Sequence, residues 1–125
     1  MTSLIVLYFW LDVSAWPEVS DLYLAADAMV TDYSSTMFDF AVTGKPMLFF
    51  TYDLEDYMDR LRGFYLDLRE IAPGPLLATN DELVAAVRAL PDVAAAHEDR
   101  YARFRERFCH LEDGRATERV IARLP

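Results

Sequence analysis

Two short apolar runs, AMVT at 28–31 and MLFFT at 47–51, bracket a segment with helical spacing that ends in Gly44-Lys45-Pro46. This pattern constrains the fold more than any other feature of the chain. A run that is apolar at successive positions, with no polar alternation, is a strand buried on both faces. The intervening residues are too many for a tight hairpin and enough for a helical crossover, so the two strands are expected to be parallel. Parallel strands with helical crossovers need a helix layer on each face of the sheet.

The flanking sequence fits the same scheme. Leu4–Leu11 reads as a further apolar strand, rich in Ile, Val, Tyr, Phe and Trp. It lacks a basic leader region and a small-residue cleavage site, and it is too short to span a bilayer. Pro17 suits the first turn of a helix whose apolar face is Val19, Leu22, Tyr23 and Ala26. Ser34 or Ser35 is placed to cap the next helix, with Phe38, Ala41 and Val42 as its buried stripe. Gly44 fits the position just past that helix and Pro46 stops it. Leu54, Tyr57, Met58 and Leu61 mark another amphipathic helix, ended by Gly63. FYLDLREIAPGPLL (64–77) is expected to mix a short extended piece with a Pro-Gly-Pro loop. Thr79 and Glu82 form a T-x-x-E capping box before Leu83, Val84, Val87 and Leu90. Pro91 interrupts, a longer helix is expected over Val93–Phe108, Asp113-Gly114 turns the chain, and a last helix carries Val120, Ile121 and Leu124. The expected fold class is therefore α/β, a Rossmann-like parallel sheet covered by helices. It is expected to form a single domain over residues 1–125.

Composition narrows the function. The chain has 125 residues, 54% of them hydrophobic, which is enough for a real core. The net charge of -9 argues against duplex nucleic acid as a partner, which would need a basic face. One cysteine, Cys109, rules out an internal disulfide, and with His97 and His110 it gives no zinc spacing. No metal and no cofactor are expected.

The chemistry concentrates where the first of the two bracketing strands ends, at Thr31-Asp32-Tyr33-Ser34-Ser35. In an open parallel sheet, ligands bind outside the carboxyl ends of the strands. A helix begins there, and its first turn offers unpaired N–H groups and partial positive charge. Serine hydroxyls add donors, so Ser34 and Ser35 are candidate anion ligands. Asp39 follows Ser35 by one helical turn, where a carboxylate can accept the two hydroxyls of a ribose. An ordinary helix cap and a solvated Asp39 account for the same letters, and both readings stand at this point. The acidic residues Asp53, Glu55, Asp56 and Asp59 keep to the polar face of an amphipathic helix, with Asp53 also a candidate cap. Arg100, Arg103 and Arg107 share one helical face, suited either to phosphate or anionic lipid, or to solvent and pairing with Glu98, Glu106 and Glu112. His97, His110 and Cys109 lack the sequence partners of catalytic groups.

The segment LYLAADAMVTDYSSTMFDFAVTGKPMLFFTYDLEDY (22–57) resembles the C-terminal part of the CDP-glycerol glycerophosphotransferases, bacterial enzymes that make poly(glycerol phosphate) teichoic acids and related wall polymers. The likeness continues through GFYLD, APGPLL, RYARFRERF and DGRATERV and covers roughly residues 12–124. It implies the C-terminal half of a GT-B fold, two Rossmann-like domains facing across a cleft, with this half holding the nucleotide donor. It further implies that Ser34 and Ser35 contact the diphosphate of CDP-glycerol. The implied activity of the parent protein is transfer of glycerol phosphate from CDP-glycerol to a growing polymer, releasing CMP. The family's catalytic histidines lie in segments before the part matched here, and neither His97 nor His110 sits in such a motif. The chain alone is therefore expected to bind CDP-glycerol or CMP with little or no turnover, and to contribute no catalytic residue. Its expected partners are a missing N-terminal GT-B half or a second copy of itself and, through the parent protein, a lipid-linked polymer acceptor. That acceptor implies a cytoplasmic protein peripheral to the inner face of the plasma membrane. Two other readings of the same residues are a non-catalytic Rossmann-like interaction module and the donor domain of another nucleotide-sugar transferase.

Overall fold

The computed structural model describes residues 11–54 and 66–124. The strand expected over Leu4–Leu11 and the helix expected over Leu54–Leu61 fall, but for Leu11 and Leu54, outside them.

The parallel crossover is present. β1 (Met29–Thr31) and β2 (Met47–Phe50) pair in parallel, with Met29 opposite Met47 and Thr31 opposite Phe49. A third strand, β3 (Leu76–Leu77), pairs with β2 on its other side, also in parallel, so the order is β1-β2-β3. β2 is thus central, and its Met47, Leu48 and Phe49 are at most 2% exposed. Successive side chains of a strand point to opposite faces. Met47 and Phe49 enter one core cluster and Leu48 enters another.

Helices fill both faces. On the Met47/Phe49 side, α2 (Thr36–Ala41) buries Met37, Phe40 and Ala41, and α6 (Glu98–Phe108) buries Phe104. Phe38 stacks on Phe104 at 5.4 Å and meets Phe108 edge-on at 5.1 Å. Such aromatic pairs add roughly 0.5–1.5 kcal/mol each beyond burial. The α2 stripe differs from the expected one. Met37 and Phe40 carry it with Ala41, Phe38 is half-buried, and Val42 is exposed, because the helix turns its Met37–Phe40 edge to the sheet. On the Leu48 side, α4 (Asn80–Arg88) and α5 (Leu90–Ala96) pack Leu83, Ala86, Leu90 and Val93 with Leu77. The α4 capping box is formed as expected: the Glu82 amide donates to Thr79 Oγ1 (3.2 Å), and Glu82 Oε2 accepts from the Thr79 amide (3.2 Å).

Four expectations along the second half are corrected. Residues 64–77 contain a one-turn helix, α3 (Leu68–Ile71), capped by the Asp67 carboxylate accepting from the Arg69 amide at 2.8 Å. The expected helix over Val93–Phe108 is two helices divided at His97, with φ -109° and ψ 6°. The His97 ring, through Nδ1, takes the Val93 carbonyl at 2.8 Å, and the His97 amide falls back on Ala94. Since a carbonyl only accepts, Nδ1 carries the proton. Pro91 sits in the first turn of α5, where its missing N–H costs nothing, so it starts that helix instead of interrupting one. The last helix, α7 (Ala116–Ile121), ends before Leu124, and Val120, Ile121 and Leu124 are each more than 60% exposed.

Gly44-Lys45-Pro46 is pinned from two sides. Gly44 follows α2 at φ +74°, the left-handed region. Lys45 Nζ donates to the carbonyls of Tyr23, Leu24 and Ala26 (3.2, 2.6 and 2.6 Å), which close α1 (Val19–Ala25). A cation suits that end of a helix. The Tyr101 hydroxyl donates to the Lys45 carbonyl at 2.7 Å, and burial pushes its pKa up to about 12.

Gly74 lies against the start of β2: a Cβ there would sit 1.9 Å from the Met47 carbonyl oxygen. Gly74→Ala is expected to cost about 3 kcal/mol through forced backbone displacement. Gly114→Ala, at φ +77° in open space, is expected to cost about 1 kcal/mol. Urea denaturation midpoints measure both, and equal losses would contradict the close approach at Gly74.

Candidate functional site

Because all three strands are parallel, their carboxyl ends share one edge of the sheet. The chain leaves β1 through Asp32, Tyr33, Ser34 and Ser35, β2 through Thr51, Tyr52 and Asp53, and β3 through Ala78 and Thr79. Thr51 is buried, its amide donating to the Leu77 carbonyl at 2.7 Å. Two open grooves lie here. One, of about 410 Å³, is lined by Val30, Thr31, Asp32, Phe50 and Tyr52. The other, of about 460 Å³, is lined by Thr51, Tyr52, Asp53, Leu54, Arg69, Leu76 and Ala78. Arg69 brings a guanidinium to this edge.

The two serines divide the work. Asp32 Oδ1 accepts from the Ser34 amide at 3.1 Å, which folds the turn out of β1. Ser34 Oγ accepts from the Thr36 amide at 3.3 Å and from the Thr36 hydroxyl at 3.1 Å, so Ser34 supplies the first donor of α2 with a partner. Ser35 occupies the N-cap position with helical backbone (φ -63°, ψ -11°) and makes no side-chain cap. Its side chain is exposed. Asp39 is exposed in the first turn of α2. It is near enough to Cys109 for its charge to raise that thiol's pKa, behind the larger effect of burial. Ser34, Ser35 and Asp39 thus share one loop and helix, but none lines either groove.

The contact that joins two strand ends falls on residues the sequence did not single out for the site. The Tyr33 hydroxyl donates to Asp53 Oδ1 at 2.6 Å, tying the loop after β1 to the loop after β2. Burial first, then Asp53, raises the Tyr33 pKa well above the ordinary tyrosine value of 10.0. Asp53, expected on a solvated helix face or as a cap, is half-buried and accepts this bond. The available signal was position alone: both residues follow the last strand residue by two or three places.

Other candidates are used elsewhere. Cys109 is buried, its Sγ 3.7 Å from the Phe38 carbonyl, and burial pushes its thiol up, away from a reactive thiolate. A cavity of about 440 Å³ opens at the opposite, amino edge of the sheet, between Gly44, Pro46, Gly74, His97 and Tyr101. Its His97 ring and Tyr101 hydroxyl already serve the Val93 and Lys45 carbonyls. Among the described residues, no group of three or more His, Cys, Asp or Glu is placed to hold a metal ion, and no helix is long and apolar enough to cross a membrane.

A parallel sheet covered on both faces, with open grooves and exposed polar side chains at its carboxyl edge, defines an α/β domain of the ligand-binding Rossmann-like class. It corresponds to the C-terminal half of a GT-B fold. The chain belongs to the CDP-glycerol:poly(glycerophosphate) glycerophosphotransferase family, whose sequence model matches residues 8–124. It is 45% identical over 109 residues to a teichoic acid glycerol-phosphate transferase of Staphylococcus aureus, covering 87% of this chain and 28% of that protein. It is 42% identical over 113 residues to a teichoic acid poly(glycerol phosphate) polymerase of Bacillus subtilis, covering 90% of this chain and 15% of that one. Among solved structures, the wall teichoic acid polymerase TagF superposes with a TM-score of 0.80 at 37% identity, covering 87% of this chain and 27% of TagF. A TagF variant soaked with CDPG superposes equally, with a TM-score of 0.80 at 36% identity, covering 88% of this chain and 27% of the other. The chain thus spans less than a third of each of these relatives.

Tyr33→Phe is expected to lower stability by about 1–2 kcal/mol at neutral pH, since a half-buried carboxylate loses its donor. A tyrosine whose folded pKa is raised contributes stability that is fully present below pH 10 and lost as the pH climbs toward the folded value. The wild-type advantage over Tyr33→Phe, read from urea midpoints, is therefore expected to be constant up to about pH 9 and to shrink above pH 10. An advantage that grows with alkalinity would contradict the Tyr33–Asp53 bond.

Proposed function

We propose that this chain is the donor-binding domain of a glycerophosphotransferase, a single Rossmann-like unit over residues 1–125 that faces a second GT-B half across a cleft. The observation that supports the proposal is the family match, taken together with an exposed Ser35 that makes no side-chain cap at the start of α2. In this reading the diphosphate of CDP-glycerol lies against the α2 start. The Ser35 hydroxyl and first-turn amides donate to it, and Ser34 holds the turn in shape while lending its remaining hydrogen-bonding capacity. Asp39, one turn on and exposed, accepts the ribose hydroxyls. Arg69, across the edge, adds positive charge near the phosphates.

The parent reaction is attack by the polymer's terminal hydroxyl on the phosphorus bonded to glycerol. The P–O bond to CMP breaks, and the hydroxyl proton passes to a base. Catalysis rests on positioning and on neutralising the diphosphate charge. No side chain of this chain is assigned as the base, so the domain binds donor or CMP and leaves deprotonation to the other half. Peripheral attachment at the inner membrane face belongs to the parent protein and its lipid-linked acceptor. The donor is CDP-glycerol by kinship with glycerol-phosphate transferases, and a panel of other nucleotide-activated donors tests that choice.

A second reading, a non-catalytic module that pairs with itself or a partner, draws on one observation: Leu111, Val120, Ile121 and Leu124 are 59–66% exposed around α7. Light scattering separates the two, since a dimer that ignores nucleotides supports only the second. Calorimetry with CMP and CDP-glycerol on wild type and on Ser34→Ala/Ser35→Ala tests the first. The double variant is expected to bind at least tenfold more weakly, in line with loss of charge-assisted hydrogen bonds of about 1.5–3 kcal/mol. Measurable and equal binding by both proteins would remove the proposed site.

A further inference from the structure

Helix α6 carries Arg100, Arg103 and Arg107 along one face, and with Glu70 and Ile71 of α3 they line a groove of about 220 Å³. Phe104, 2% exposed, is at its floor. In a chain with 21 acidic and 12 basic residues, an arginine row is expected to be neutralised by carboxylates. Here it is not. The ion pairs among the described residues join Arg115 to Glu118 and Arg119 to Asp113, away from the groove.

Neutral contacts fix two of the guanidiniums instead. Arg100 donates to the Arg69 and Glu70 carbonyls at 2.8 and 3.4 Å, closing the end of α3. The Arg107 guanidinium carbon lies 4.9 Å from the Phe108 ring centroid. Each guanidinium has five N–H donors, so both retain donors after these contacts, and Arg103 has no ion-pair or hydrogen-bond partner among the described residues. Among the described residues lining the groove, three cations face one carboxylate, that of Glu70, which leaves it positive. By helix geometry the row extends for about 10 Å, long enough for neighbouring phosphates of one extended chain.

We infer that this groove binds the phosphodiester backbone of a glycerol phosphate polymer. The inference rests on the family assignment and adds a polymer subsite to the donor reading. α3 is the wall between the two regions: Arg69 lines the carboxyl-edge groove, while Glu70 and Ile71 line the arginine groove. A polymer end delivered to the donor edge therefore has a cationic track one helix away. A membrane surface fits less well. Interfacial binding needs apolar side chains that protrude beside the basic ones, whereas Phe104 is buried and Ile71 and Phe108 are half-buried.

The test is fluorescence anisotropy of the 125-residue chain with labelled, lipid-free oligo(glycerol phosphate). Arg103→Gln/Arg107→Gln is the groove variant. Arg88→Gln/Arg123→Gln, which lowers the charge equally outside the groove, is the control. The groove variant is expected to bind roughly tenfold more weakly, with a shallower salt dependence, and the control to match wild type. Arg103→Gln alone, at an exposed side chain, is expected to show an intermediate loss, so a misfolded double variant does not leave the question open. CMP affinity is expected to be unchanged in every variant. If CMP fails to bind wild type while the polymer loss remains confined to the groove variant, the donor reading falls and the groove stands. No polymer binding by wild type, equal losses in groove and control variants, or arginine-dependent binding to phosphatidylglycerol vesicles in place of polymer would overturn the inference.

Discussion

Burial of β2 on both faces is the constraint from which the rest of the architecture follows. With Met47 and Phe49 directed to one core and Leu48 to the other, neither face of the sheet can be left to water. Removing such side chains from water is worth roughly 1.5–3 kcal/mol each. Helices must therefore cover both sides, and the chain must cross from one end of the sheet to the other between strands. Gly74 belongs to the same requirement, because the turn leading to β3 packs against the Met47 backbone closely enough to exclude a side chain.

The functional consequence is an edge. Parallel strands bring three exits to one side of the sheet, and each exit supplies short polar side chains. The Tyr33–Asp53 bond holds two of these exits together. Ser34 is absorbed in shaping the turn, and Ser35 is the serine left exposed. At the opposite edge, comparable polar groups are spent on the chain itself: Lys45 closes α1, Tyr101 holds Lys45, and His97 ends α5. That asymmetry in committed groups, more than cavity size, favours the carboxyl edge. α3, a single turn capped by Asp67, then separates that edge from the arginine row of α6.

Local signals were legible in the sequence, and long-range ones were not. The two apolar runs, the Gly-Lys-Pro stop and the Thr79–Glu82 box each act within a few residues, and the structure bears them out. The break at His97 depends on a ring nitrogen winning the Val93 carbonyl, a competition no periodicity records. One-turn α3 is too short for an amphipathic pattern, although Asp67 is its cap. Lys45 reads as a turn residue, yet its ammonium serves a helix some twenty residues earlier. The expected carboxylate pairing of Arg100, Arg103 and Arg107 is absent among the described residues, because backbone carbonyls and a ring hold Arg100 and Arg107 instead. In the candidate site, Ser34, Ser35 and Asp39 were visible by their spacing. Tyr33 and Asp53 were not, since they meet only when β1 and β2 lie side by side.

The central claim is that nucleotide binds at the carboxyl edge of the sheet. Titration of the isotope-labelled chain with CMP, followed by backbone amide chemical shifts, tests it most directly. The account predicts saturable shifts at Ser34, Ser35 and Thr36, with smaller ones at Asp53 and Arg69, and none at Gly44, Gly74 or His97. Shifts centred on Gly44, Gly74 and His97, or none at Ser35 under saturating CMP, would contradict it.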